Sequence, residues 1–486
     1  MWLNGEPYLE GPSHCPPSSD GKAVEEFDLI IVGSGAGLNL VDAAVKSGMK
    51  VALAENGDMG GTCLNRGCIP SKMWIYPADV IRQIEEGARI GIEAKIEKAD
   101  FEVVRERTWD TVLKERENIA EAVKEDPRVT SIRDTVSFVG ERTLKASDRT
   151  IHAPRIVLAG GARSAVPDVP GIDEVEYQTS ETIFDIAELP KSMIIMGGGF
   201  KGCEFGHFFS AFGTDVTILQ RPARLLPNEE LEISSAVTRK LGQHVAVRTA
   251  HDVLEIRKTD GGVQVISRDR TTGKEVSNEA EMLMVATGMK SNADWLDPAA
   301  AGVELDEHGY VVVNEHLETT APGIWALGDI TGRHMFRHTA NYESQVVWYN
   351  MSSNDKAFVD EHAIPHAVYT YPTVGSVGMS EEGAKRGNLK YLVGYNFYSN
   401  AAKGTAMAND HGVVKVLVEA GTRRILGAHI AGPEADLLVQ QIVYLMNAGD
   451  ESYLPMARSQ VIHPSLSEVV AGAFAHLAEP GAHHHH

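Results

Sequence analysis

Phe27-Asp28-Leu29-Ile30-Ile31-Val32-Gly33-Ser34-Gly35-Ala36-Gly37 is the stretch that decides the fold. The apolar, β-branched run reads as a strand buried on both faces. It ends in a glycine turn, and a helical stretch follows to Ser47-Gly48. Val51-Ala52-Leu53-Ala54 is a second strand, closed by Glu55, 22 residues after Gly33. Strand, glycine turn, helix, strand and acid make the βαβ unit that binds a dinucleotide. The glycines admit a pyrophosphate close to the backbone, and the helix N-terminus stabilises its charge. A carboxylate at Glu55 would accept hydrogen bonds from ribose hydroxyls. One position departs from the fingerprint: Leu38 stands where Gly or Ala is usual.

A second copy comes later. Ser192-Met193-Ile194-Ile195-Met196 is its strand, Gly197-Gly198-Gly199-Phe200-Lys201-Gly202 its full G-x-G-x-x-G, and Val216-Thr217-Ile218-Leu219 its second strand. The end of that strand carries no acid. Gln220 takes the carboxylate's place, followed by Arg221 and Arg224. An acid there favours the free 2′-hydroxyl of NAD, whereas arginine pairs with a 2′-phosphate. The second site therefore leans to NADPH over NADH. Two dinucleotide folds imply two dinucleotides.

Composition narrows the partners. There are 67 Asp+Glu against 45 Lys+Arg, a net charge of −22. Such a chain has no bulk attraction for phosphate backbones or anionic lipid, so no nucleic acid or membrane partner is expected. No apolar run is long enough for a spanning helix. Residues 1–26 lack the basic start and apolar core of a signal peptide and read as a flexible extension of a cytoplasmic protein; Cys15 lies there as an inert thiol. The last residues, 479–486, end in a histidine run and read as a tag.

Gly60-Gly61-Thr62-Cys63-Leu64-Asn65-Arg66-Gly67-Cys68-Ile69-Pro70-Ser71-Lys72 directly follows the first βαβ unit. A structural zinc usually needs four ligands, and no second cysteine pair exists to supply them, so no metal is expected. The other reading is a redox disulfide. Five residues of regular helix rise about 7.5 Å and turn the two side chains to different faces. A bridge therefore needs a distorted turn, for which permissive Gly67 and Pro70 supply the means. A strained local disulfide is easily reduced, which suits catalysis better than stapling.

At these residues the chain resembles the FAD-dependent pyridine nucleotide–disulfide oxidoreductases, the family of dihydrolipoamide dehydrogenase, glutathione reductase, mercuric reductase and mycothione reductase. The resemblance runs over about residues 27 to 477. It implies an α/β fold of two Rossmann-like domains, for FAD and NAD(P), plus an α+β C-terminal dimerisation domain. The expected segments are an FAD domain over 27–165, an NAD(P) domain over 166–288, a central segment over 289–355 completing the FAD site, and a dimerisation domain over 356–478. Ala286-Thr287-Gly288 resembles the turn closing the nicotinamide domain, and Ala159-Gly160-Gly161-Ala162-Arg163 the family's A-T-G-S-R turn. Thr320 to Asp329 resembles the second flavin motif, in which the Asp329 carboxylate binds the flavin's sugar-alcohol chain and Gly328 is a further cofactor-binding residue. Tyr371-Pro372-Thr373-Val374-Gly375 matches the opening of the dimerisation domain.

The resemblance also assigns roles. Cys63 and Cys68 form the redox disulfide; Cys68 lies nearer the flavin and Cys63 attacks substrate. Glu204 pairs with Lys72 beside the flavin, and Phe200 covers the flavin until nicotinamide enters. Cys203 is core. Ile462-His463-Pro464-Ser465-Leu466-Ser467-Glu468 resembles H-P-x-x-x-E, with Pro464 at a first helical position and Glu468 about one turn in, orienting His463. An imidazole can lend and take a proton near neutral pH. In the family this histidine comes from the other subunit of a homodimer. His338, His411 and His429 have no catalytic role.

The implied reaction is hydride relay from nicotinamide through tightly bound FAD to a small-molecule disulfide, or the reverse from a dithiol. Mercuric and large thioredoxin reductases carry a C-terminal cysteine pair, which is missing after Cys203. Ser291 to Asp294, His338 with Ala340 to Glu343, Gly404 to Met407 and Gln460 to Pro464 look most like mycothione reductases. The expectation is an NADPH-linked reductase of a low-molecular-weight, mycothione-like disulfide. The alternatives are an NAD-dependent dihydrolipoamide dehydrogenase, a quinone or dye reductase, and a non-catalytic flavoprotein.

Overall fold

The computed structural model describes residues 24–482, so Cys15, most of the expected extension and the tag histidines lie outside them. The chain forms two compact units, each assembled from separated stretches. One holds the residues up to Ser71, Glu106–Ala165 and Gly288–Asp360; the other holds Lys72–Arg105, Val166–Thr287 and the residues from Glu361 onward.

The first unit is built on a five-stranded parallel sheet in the order Ile324–Ala326, Ile156–Leu158, Leu29–Val32, Val51–Ala54, Val129–Ile132. Strands 29–32 and 51–54 are buried along their whole length, as their unbroken apolar runs require. The strand Ile324–Ala326 arrives about 290 residues after the first one, so the sheet that bears the glycine turn is closed by a late segment. Val24–Glu26, expected within the flexible extension, is instead a strand, parallel to Arg149–His152. Glu25 pairs with Arg149 at 2.7 and 2.8 Å, and Glu26 with His152 at 2.8 Å. A three-residue strand with two acids, held by side-chain pairing and ladder bonds, has no apolar periodicity to reveal it.

The second unit contains a four-stranded parallel sheet, in the order Ala246–Thr249, Asp215–Gln220, Ser192–Met196, Met282–Val285, and a three-stranded antiparallel meander over 251–280. It also contains a five-stranded sheet, Pro365–Val368, Val374–Gly378, Ile425–Ala431, Val413–Glu419, Tyr391–Phe397, antiparallel throughout. The helices Ala435–Met446 and Ser467–Ala475 contribute buried residues to the same core. The stretch Lys72–Arg105, expected with the first dinucleotide domain, clusters with this unit. Trp74 is the reason. Its indole packs on Phe208, Phe184 and Phe101 at centroid distances of 4.7, 4.9 and 5.2 Å. Arg82 adds a bond to Ser210 at 2.8 Å and Asp79 one to His207 at 2.8 Å.

Lys415 is fully buried in the middle of the antiparallel sheet. Its ammonium meets Glu230 at 2.8 Å, Glu232 at 3.0 Å and Glu381 at 2.7 Å. Burial alone would discharge it, but the three carboxylates reverse this and push its pKa up. Removing the cation would leave buried carboxylates without compensation. Lys415→Met should therefore destabilise the protein by about 3–5 kcal/mol. Chemical denaturation checks this, and an unchanged midpoint would contradict the account.

Candidate active site

The first glycine turn is built for close approach. Gly33 has φ +102°, and a Cβ there would sit 2.2 Å from the Ala159 carbonyl oxygen. A Cβ on Gly37 would lie 2.3 Å from the Gly33 carbonyl and 2.8 Å from Ile31. Helix and strand thus touch at Gly37. This explains Leu38, the fingerprint's exception: it is the first residue of the helix Leu38–Lys46, only partly buried, and needs no close approach. Glu55 accepts from Ser34 N–H at 2.9 Å and from the Ser34 hydroxyl at 2.7 Å, and Gly60 N–H donates to the same hydroxyl at 3.0 Å. Ser34, invisible as a functional residue in the sequence, links turn, acid and cysteine loop.

A space remains where a pyrophosphate belongs. A Cβ on Gly35 would meet nothing closer than Arg337 Nη1 at 3.8 Å and the Gly61 Cα at 3.9 Å. Gly61, with φ +67°, would place a Cβ 2.5 Å from the Gly35 Cα. The exposed Thr62 follows it in the short helix Gly61–Arg66. At the far edge, Gly328 (φ +72°) opens the turn Gly328–Thr331 that carries Asp329, and buried Glu343 accepts from its N–H at 2.6 Å. These glycine contacts, a carboxylate at the second strand end and a nearby guanidinium fit FAD. Arg337 was not singled out from sequence; only its place at the start of the helix Arg337–Ser352 could have hinted at it.

The cysteines lie on either side of a helix break. Cys63 is in the helix Gly61–Arg66, and Cys68 is the first residue of the helix Cys68–Glu86. Between them Gly67 leaves helical geometry at φ −139°, ψ −118°. A Cβ on Gly67 would lie 2.8 Å from the Thr62 carbonyl and 3.3 Å from the Cys63 Cα, so only glycine lets the chain double back there. Pro70 falls in the first turn of the second helix, where it removes no helical bond. The two cysteines are in hydrogen-bond contact as thiols. That bond, burial and the charge of Cys68 push the Cys63 pKa up, while Arg337 pulls it down. The loop is tied down by buried Asn65, whose amide donates to the carbonyls of Asp58, Met59 and Gly61 at 3.0–3.1 Å and accepts from Arg116. Asn65 is a third residue the sequence did not reveal.

In the second unit, Lys72 Nζ lies 2.9 and 3.1 Å from the Glu204 carboxylate. Tyr369 fixes the pair: its N–H donates to Glu204 at 2.9 Å, and its ring lies 4.5 Å from the ammonium. Lys72 follows Cys68 by four residues in one helix. Cys203 is fully buried, its thiol pKa pushed up by burial, as expected of a core residue.

The second glycine turn repeats the first. A Cβ on Gly202 would lie 1.9 Å from the Gly197 carbonyl, and one on Gly197 (φ +111°) 2.3 Å from the Ala286 carbonyl, whereas Gly199 has nothing within 4 Å. Gly288 has φ +146°. Gln220 accepts from Gly198 N–H at 2.8 Å. The two arginines separate. Arg221 is 78 % exposed and pairs with Asp252 at 3.2 Å; Arg270, which the sequence did not single out, lies 3.5 Å from the same carboxylate. Arg224 instead donates to the backbone carbonyls of Pro227 and Glu229 at 2.8 and 3.3 Å. It braces its own loop.

His463 Nδ1 lies 2.8 Å from Glu468 Oε1, and the other oxygen accepts from Ser465 N–H at 3.0 Å. These two bonds hold the Glu468 carboxyl below the usual carboxylate range. The helix begins at Ser467, so Pro464 is not its first residue and Glu468 lies in its first turn. The carboxylate bonds the turn ahead of the helix, which leaves His463 outside it with 71 % of its side chain exposed. Among the described residues, no group of three or more His, Cys, Asp or Glu could hold a metal, and no helix is long and apolar enough to cross a membrane.

Residues 27–344 match the pyridine nucleotide-disulphide oxidoreductase family, and residues 364–474 match the dimerisation domain of that family. The chain is 35% identical over 469 residues to mycothione reductase of Mycobacterium tuberculosis, covering 93% of this chain and all of the relative. It is 30% identical to dihydrolipoyl dehydrogenase of Chlamydia pneumoniae, over 92% of this chain and 96% of that one. The structure of the Cu(II) complex of RclA, an HOCl-induced flavoprotein disulfide reductase from Escherichia coli, superposes with a TM-score of 0.82 at 28% identity, covering 93% of this chain and 99% of that one. A phosphate cradle beside a cysteine pair, a second glycine turn and the family's own dimerisation domain converge on one conclusion: this chain belongs to the pyridine nucleotide–disulfide oxidoreductases and is a flavoprotein disulfide reductase.

Proposed function

We propose that the protein is a homodimeric, NADPH-linked cytoplasmic reductase of a low-molecular-weight disulfide of the mycothione kind. The cysteine pair at the Gly67 break carries the reaction class. The substrate reading is supported by similarity to mycothione reductase along that relative's whole length. The NADPH reading is supported by Gln220 in the acid's place, with Arg221 and Arg270 beside it.

Bound FAD supplies the two-electron step that joins the nicotinamide to the cysteine disulfide. Gly33, Gly35, Gly37, Gly61, Thr62, Glu55, Gly328 and Asp329 would hold it, and Lys72 and Glu204 would act as a catalytic ion pair. In the dithiol form the Cys63 sulfur, once ionised, attacks one sulfur of the substrate disulfide. That S–S bond breaks, and the leaving sulfur takes a proton from His463 of the partner subunit. The Cys68 thiolate then attacks Cys63, the mixed disulfide breaks, and the second thiol leaves with a proton. Exposed Leu437 and Tyr444, seven residues apart on the helix Ala435–Met446, give an apolar face that suits a second copy.

A second reading is an NAD-dependent dihydrolipoamide dehydrogenase. Asp252 favours it, because its carboxylate already occupies the Arg221 guanidinium. A screen of mycothione, glutathione disulfide and lipoamide, coupled to NADPH and to NADH in parallel, decides between them. Turnover with mycothione supports the proposal, and turnover with lipoamide and NADH alone contradicts it.

Stopped-flow reduction of the flavin should be at least about tenfold faster with NADPH than with NADH, since a charge-assisted phosphate contact is worth that much. The reverse ratio contradicts the cofactor reading. His463→Ala should lower disulfide reduction by about 10²- to 10⁴-fold and leave dye reduction intact. The Glu468 anchor strengthens above the ordinary carboxyl pKa of about 4.3 and fails as pH falls through its lowered folded value. Steady-state pH profiles should therefore show wild type and Glu468→Gln differing at neutral pH and converging in acid.

A further inference from the structure

Phe200 opens the helix Phe200–Ala211, next to the open side of Gly199. Its ring stacks on His366, with centroids 5.5 Å apart and planes 20° from parallel. His366 lies on the edge strand Pro365–Val368, and its Nε2 is 2.6 Å from Glu229 Oε1. The other oxygen of this buried carboxylate accepts from the Ser376 hydroxyl at 2.7 Å. Ser376 is also the residue directly across the strand pair from His366. One carboxylate therefore clamps a cross-strand pair.

The row continues across the sheet. Ser376 lies opposite His429, His429 opposite Lys415, and Lys415 opposite Tyr395. Directly paired residues share a face of the sheet. All five strands thus contribute a polar side chain to one line, met by Glu229, Glu230, Glu232 and Glu381. The disulfide chemistry uses none of them. A buried polar row is costly unless its members satisfy one another, and then it is rigid. One end of that rigid row is the imidazole against Phe200.

We propose that His366, clamped by Glu229, is a positioning residue: it holds the Phe200 ring beside the second glycine turn and so sets how readily a nicotinamide dinucleotide displaces it. This rests on the reading of Phe200 as a cover that gives way to nicotinamide. On that reading the ring stacked on His366 is the closed position, and an incoming nicotinamide must break the stack. Loosening the stack then favours the dinucleotide.

The test measures the affinity of the FAD-loaded holoenzyme for NADP⁺, and for NAD⁺ in parallel, by calorimetry and by the shift each induces in the flavin spectrum. His366→Ala should bind about three- to tenfold more tightly than wild type, the range a lost aromatic stack gives. Glu229→Gln, which keeps an acceptor for Ser376, should move the same way by less, and it carries the test should His366→Ala not fold. Phe200→Ala should also tighten binding, and adding His366→Ala to it should change nothing more, because the two act as one unit. If Phe200→Ala tightens binding while His366→Ala and Glu229→Gln leave it unchanged or weaken it, the positioning role is overturned and the cover reading stands. An effect of His366→Ala that persists in full without Phe200 also overturns it, by showing direct contact with the dinucleotide. Unchanged affinity in Phe200→Ala overturns the cover reading and the inference with it.

Discussion

Backbone against backbone, Gly61 meets Gly35 so closely that a methyl group on Gly61 would lie 2.5 Å from the Gly35 Cα. That approach welds the cysteine loop to the phosphate turn. A dinucleotide bound at the turn is therefore bound beside the redox pair. Ser34 and Glu55 reinforce the weld, and Asn65 pins the loop from below through three carbonyls. The second constraint is Gly67, whose missing side chain lets Cys68 return to Cys63. Catalysis here depends on places where atoms are missing as much as on the sulfurs themselves.

Charge serves a different purpose in the second unit. Lys415 and its three glutamates are buried, and desolvation makes such groups weak stabilisers but intolerant of losing one partner. Their value is in fixing geometry: the same row of positions that satisfies Lys415 ends at the ring stacked on Phe200. The acidic composition, which only excluded partners when read as a sum, takes on a specific use in this row.

Much of the fold was legible because it rests on local signals. Both βαβ units follow from β-branched runs ending in glycines. The cysteine spacing required a distorted turn, and Gly67 is that turn. What escaped was set by tertiary contact. Val24–Glu26 pairs through charges. Trp74 draws residues 72–105 into the second unit by aromatic packing that no helical period encodes. Arg337 and Arg270 matter through neighbours distant in sequence, and Arg224 looks equivalent to Arg221 until its guanidinium is seen on its own loop's carbonyls. The start of the helix at Ser467 was missed because Pro464 is an equally good first-turn residue on propensity alone.

The central claim is that electrons from the nicotinamide come to rest on Cys63 and Cys68. Alkylation of the holoenzyme after one equivalent of NADPH without oxygen, read by mass spectrometry, tests it most directly. The account predicts that Cys63 and Cys68, protected before reduction, both become alkylated while the flavin keeps its oxidised absorbance. A bleached flavin with both cysteines still protected would contradict it.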